Sequence, residues 1–151
     1  MAFMIKFYTP IFLILLIISV FLGYQFFNSD NKQNTGQINC DFSAGGCLKT
    51  RDFGVFELNA SPNIIKSENE IFFSLKSKLN QPMKIRAAWI EGKDMFMGKI
   101  PLFFEQNNGA YHANTLIGAC TEEQMIWTMF VEVQINDKIE TLLFDFVSYQ
   151  S

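Results

Sequence analysis

Ile126-Trp127-Thr128-Met129-Phe130-Val131-Glu132-Val133-Gln134-Ile135 (IWTMFVEVQI) alternates with a period of two. Trp127, Met129, Val131, Val133 and Ile135 face one way; Thr128, Glu132 and Gln134 face the other. Successive side chains of a strand point to opposite faces, so the pattern marks a strand with one face in a core. Asn136-Asp137 follows, and then Lys138 to Val147, which reads as the second arm of a hairpin with a polar tip.

Upstream the same period recurs. Glu70 to Lys76 places Ile71, Phe73 and Leu75 on one face. Met83 to Glu91 places Met83, Ile85, Ala87 and Trp89 inside, with Lys84 and Arg86 outside. Asp52 to Leu58 alternates more loosely. Asn108-Gly109 separates Pro101-Leu102-Phe103-Phe104 from Ala110-Tyr111-His112-Ala113, a strong hairpin cue. Ser61-Pro62-Asn63 and Asn80-Gln81-Pro82 mark further breaks, and Thr121-Glu122-Glu123-Gln124 reads as one helical turn capped by Thr121. The sum is an all-β domain of about seven strands, expected to be an immunoglobulin-like antiparallel β-sandwich, with a small closed barrel as the alternative. Seventeen phenylalanines, most of them in this part of the chain, supply the bulk of a core for about 110 residues.

The amino-terminal end has a different composition. Ile11 to Phe27 (IFLILLIISVFLGYQFF) carries no charge. With Phe7 and Tyr8 it approaches the ~20 residues that span a bilayer as a helix. The run ends in Tyr24, Phe26 and Phe27, not in the small residues of a cleavage site, so an uncleaved anchor is favoured over a cleaved signal. The expected organisation is a signal-anchor helix over 1–28, a polar linker over 29–39 (SDNKQNTGQIN) and a β-sandwich over 40–151. The helix over 7–27 would sit in the bilayer. Lys6 and Lys32 give almost no charge bias for orientation. Cys40 and Cys47, flanking Gly45-Gly46, suit a small disulfide loop in an oxidising compartment. The expectation is therefore a single-pass bacterial inner-membrane protein, amino terminus cytoplasmic and domain periplasmic.

The three cysteines allow other pairings. Cys40–Cys47 leaves Cys120 as a free thiol. Pairing Cys120 with Cys40 or Cys47 instead closes a loop of 70 to 80 residues, stabilising by ~4 kcal/mol in the chain-entropy model. The C-x6-C spacing and the absence of a neighbouring positive charge argue against a redox enzyme. Net charge is only −3 and no basic-aromatic stripe runs along the chain, so nucleic acid is not an expected partner. No Ser/His/Asp order, P-loop or dinucleotide glycine pattern is present, and Glu122-Glu123 reads as a solvated turn. The chain is not expected to be an enzyme.

Trp89-Ile90-Glu91-Gly92, Met95-Phe96-Met97-Gly98, Asn108-Gly109-Ala110-Tyr111, Gly118-Ala119-Cys120-Thr121 and Met125-Ile126-Trp127 together resemble small membrane-anchored periplasmic proteins with an Ig-like domain, of the FixH and YtkA-like kind. The resemblance covers about a third of the chain. It implies a role in assembling membrane oxidases or handling copper. The single histidine and the three cysteines depart from that pattern.

Two candidate sites fall within this region. Met95 and Met97 lie in a glycine-bounded loop, EGKDMFMGKIP, and thioethers are soft ligands suited to Cu(I). His112, Cys120 or Met125 would supply a third ligand. His112 alternates with Tyr111 and Ala113, which otherwise makes it a solvated residue of an outer face. The bland reading of both methionines is gap-filling at one end of the core. Phe96, Met97 and Cys120 form the candidate contact for a membrane-protein partner. Two functions follow: a non-enzymatic accessory protein of a respiratory or other membrane complex, or a periplasmic Cu(I) carrier built on the Met-x-Met loop.

Overall fold

Among residues 40–79 and 81–151, which the computed structural model describes, nine strands run in chain order. They are β1 (Cys47–Arg51), β2 (Gly54–Ser61), β3 (Glu70–Lys78), β4 (Met83–Gly92), β5 (Lys99–Pro101), β6 (Glu105–Asn107), β7 (Ala110–Leu116), β8 (Gln124–Ile135) and β9 (Lys138–Tyr149). One sheet has the order β1-β2-β3-β7-β6 and the other β5-β4-β8-β9, and every ladder in both is antiparallel. The fold is all-β. The expected anchor and linker lie outside the described residues, and no helix among those described is long and apolar enough to cross a membrane.

β8 sets the spine. Met125, Trp127, Met129, Val131, Val133 and Ile135 are all buried, and the residues between them are not. The Trp127 indole N–H donates to Ser148 Oγ at 2.9 Å, so its one polar atom is satisfied inside the core. From the facing sheet Phe73 meets Phe146 of β9, ring centres 5.7 Å apart, and Phe42 packs on both. Burying each such ring stabilises by about 1.5–3 kcal/mol. Both hairpin cues are realised. Asn108 (φ 49°) and Gly109 (φ 78°) are both left-handed, as a two-residue type I′ turn requires. Asn136 (φ 54°) opens the turn that pairs Ile135 with Lys138.

Four expectations are corrected. There are nine strands among the described residues, not about seven, because β1 has no counterpart in the expectation and the single strand expected at residues 101–104 is replaced by two short ones, β5 and β6, on either side of residues 102–104. β1 buries only Cys47 at a sheet edge, so it has no alternating face to read. The apolar run instead carries the chain from β5 in one sheet to β6 in the other. Leu102 is buried in that passage, its N–H bonded to Ala88 O at 2.8 Å, while Phe103 is exposed. Pro101 ends the edge strand β5, where a missing N–H is tolerated. Third, Trp89 does not face inward. The β4–β8 register shifts between Ile85 and Ala87. A bulge of this kind reverses which residues face the core. Beyond it Ala88 and Ile90 are buried and Trp89 lies on the outer face, stacked on Phe130 at 5.1 Å and 7°. In addition, Thr121–Glu123 form bends rather than a helical turn.

Candidate functional site

The loop of residues 93–98 leaves β4 under tight restraint. Lys93 N–H donates to Ile126 O at 2.9 Å, extending the β4–β8 ladder by one bond. Its ammonium reaches Asp145 Oδ2 at 2.6 Å, and Thr128 Oγ donates to Asp145 Oδ1 at 2.7 Å. At Gly92 a Cβ would stand 2.2 Å from Met95 O and 2.4 Å from Met125 Cε. Only glycine lets the loop fold back so closely on its own strand. Gly98 (φ 76°) closes the loop from the other side.

This local geometry divides the candidate residues. Met97 is half buried and packs on the core. Met95 is 41% exposed and Phe96 is 94% exposed. The loop of residues 117–123, between β7 and β8, comes to the same place: Cys120 Sγ–H donates to Met95 Sδ at 3.5 Å. Cys120 is a free, half-buried thiol, and Cys40 pairs with Cys47 in a disulfide. Met125 is buried at the start of β8, its methyl against Gly92. His112 lies elsewhere. It is exposed in the middle of β7, opposite Ser74 and Glu105, with about 13 Å of strand between it and the last residue of β7. Two loops thus bring together Met95, Phe96 and Cys120, with Met97 and Met125 behind them and His112 apart.

For a soft metal, the Met95–Cys120 pair is the part with usable geometry. Bonds of about 2.3 Å at a tetrahedral angle separate two sulfur ligands by about 3.8 Å. The observed 3.5 Å needs an opening of only a few tenths of an ångström. Among the described residues no group of three or more His, Cys, Asp or Glu is placed to hold a metal.

One feature of the same sheet was not anticipated. On its outer face the Trp89–Phe130 stack carries Lys99 Nζ 3.9 Å above the indole, and Lys99 also reaches Glu91 at 3.4 Å. Phe130 was the available signal: an aromatic at an outward position between Thr128 and Glu132. The bulge that turns Trp89 toward it has no signature in the residue pattern.

No protein-family model matches this sequence, and no curated protein is similar to it. Among solved structures, the chain is similar to a DUF4426 family protein from Pseudomonas aeruginosa, known from a crystal structure. The TM-score is 0.51 at 12% identity, over 72% of this chain and 98% of that one. The likeness is one of fold.

Proposed function

We propose that this chain is a non-enzymatic accessory protein that docks on a membrane-protein partner. The proposal places residues 7–27 in a bacterial inner membrane and the domain, read as an Ig-like sandwich, on the periplasmic side. The observation that carries it is Phe96, 94% exposed at the tip of a loop held by Lys93, Gly92 and Gly98. A large aromatic on a preorganised loop loses little freedom on binding and suits an interface hot spot. Met95 and Cys120 extend the apolar surface beside it. A short tether to the bilayer raises the effective concentration for a partner in the same membrane. The resemblance to FixH and YtkA-like proteins supports the same setting. The test is Phe96→Ser. It should leave unfolding free energy within about 0.5 kcal/mol, yet remove a membrane protein that co-purifies with the native chain after mild crosslinking. Unchanged co-purification would reject the loop as the contact.

A second reading is favoured by one distance, the 3.5 Å between Met95 Sδ and Cys120 Sγ. A thiolate and a thioether on adjoining loops form a soft donor pair for Cu(I). Titration against a colorimetric Cu(I) chelator, with native protein, Met95→Leu and Cys120→Ser, decides it. Carrier function requires one-to-one binding that both substitutions weaken at least about tenfold. Binding no stronger than the chelator's background returns the pair to the protein-contact surface.

A further inference from the structure

We propose that the outer face of the sheet β5-β4-β8-β9 is a self-association surface. Its partner is a second copy of this chain, related by a two-fold axis parallel to the strands. Three rows of side chains run across this face. The central row is apolar: Pro101 of β5, Trp89 of β4, Phe130 of β8 and Leu143 of β9 stand opposite one another in register. Trp89 and Phe130 stack and are half buried, Pro101 is exposed and Leu143 is 37% exposed. The core lies on the other face of this sheet, so it does not account for four apolar residues in a row on the water side. On one side of them runs a row of charge. From β5 to β9 it reads Lys99, Glu91, the Lys93 ammonium and Asp145. Lys99 pairs with Glu91 at 3.4 Å and Lys93 with Asp145 at 2.6 Å. The Lys93 side chain leaves the end of β4 and crosses the β8 position to reach Asp145, which also accepts from Thr128 of β8. On the other side of the apolar row Arg86, the exposed extra residue of the β4 bulge, stands beside Ala87, and Glu132 of β8 is opposite.

The order of the charges selects the occupant. Read from β5 the row is plus, minus, plus, minus; read from β9 it is minus, plus, minus, plus. A two-fold axis parallel to the strands, between β4 and β8, lays this row on its own reverse. Lys99 then faces Asp145 of the second copy, and Glu91 faces the Lys93 ammonium of the second copy. The lower row obeys the same rule, Arg86 facing Glu132 of the second copy. In the central row Trp89 meets Phe130 and Pro101 meets Leu143. One operation therefore satisfies all three rows, and every contact is made twice. The strands stay aligned, one of the two ways in which sheets pack face to face. Each ion of the upper row enters already paired within its own chain, so closing the face leaves none of them unpaired. The three long strands have ten to twelve residues. With β5 they make a plane of about 700 Å², close to the ~800 Å² that one partner of a stable complex buries. An aromatic centre inside a charged rim is also the anatomy of such interfaces.

The experiment uses the full chain in a mild non-ionic detergent. Sedimentation equilibrium at about 100 μM should show a dimer. Glu132→Lys sets two positive groups against each other across the axis and should raise the dissociation constant at least about tenfold. Arg86→Glu should do the same with two negative groups. Mixed in equal amounts, the two variants should associate with each other at close to native strength. The new carboxylate of one then faces the new ammonium of the other, and Glu132 of the first faces Arg86 of the second. Fluorescence transfer between differently labelled chains reads this mixed dimer. Should Glu132→Lys not fold, Leu143→Asp, at an exposed position of the apolar row, replaces it for the loss of association. A monomer at that concentration overturns the proposal. So does a dimer that survives these substitutions, as one made through residues 7–27 or the loop of residues 93–98 would, or a mixture no stronger than either variant alone. None of these outcomes bears on the Phe96 contact with a membrane protein.

Discussion

The β8–β9 hairpin and the end formed by residues 93–98 and 117–123 use apolar residues in opposite ways. In the hairpin Trp127, Met129, Phe144 and Phe146 are at most 1% exposed. At the loop end Phe96 faces solvent almost entirely, and Met95 and Cys120 are partly open. Both regions are rigid in their own terms, the first through core packing and the second through Lys93, Gly92 and Gly98. Stability accounts for the hairpin. It does not account for the loop end, where holding an aromatic in water gains nothing for the fold. A rigid scaffold that displays apolar groups on short loops fits the contact surface proposed for this end.

That contrast can be broken experimentally. The largest effect should come from Phe144→Ala in the spine: a loss of about 3–5 kcal/mol in unfolding free energy, read by urea denaturation. A loss under about 1 kcal/mol would mean the hairpin is not the fold's centre. Next comes removal of the disulfide with Cys40→Ala and Cys47→Ala. The loop it closes is short, so the expected cost is about 2 kcal/mol by the same measurement. Phe42, between the two cysteines and in the Phe73–Phe146 cluster, is the core residue most exposed to that loss. An effect of similar size, and the one that sharpens the contrast, is that of Gly92→Ala. Its Cβ would meet backbone Met95 O, so the loop must shift, at about 1–3 kcal/mol. As Met95 moves off Cys120, the thiol should react faster with a disulfide reagent. An unchanged thiol rate would mean that the two loops are not held against each other.

The same contrast explains what the residue pattern disclosed. The spine was legible because long strands with one wet face must alternate, and because Asn108-Gly109 and Asn136-Asp137 have few uses other than tight turns. β1 was not legible: Leu48, Thr50 and Arg51 are all exposed at an edge, so nothing imposes a period. The run Pro101–Phe104 misled because hydrophobicity is shared by strands and by chain passing between sheets; only the contacts of Leu102 distinguish them. Trp89 misled because one extra residue in β4 inverts every face after it. At the site, loop membership of Met95, Phe96 and Met97 was readable from the flanking glycines. Their separation into a half-buried Met97 and an exposed Phe96 was not, since loops have no period. The approach of Cys120 to Met95 spans twenty-five residues and depends on how β4, β7 and β8 are ordered across two sheets. His112 was readable as an outer-face residue by strict alternation, and its distance from Met95 follows from its place in mid-strand.

If the loop end is a contact surface, site-specific photocrosslinking in living cells will report it. A photoreactive phenylalanine analogue at position 96 should capture one defined membrane protein. The same analogue at position 108, in the turn at the other end of β7, should not. Capture at 108 and not at 96, or no capture at 96 from cells in which the chain is folded and abundant, would contradict the account.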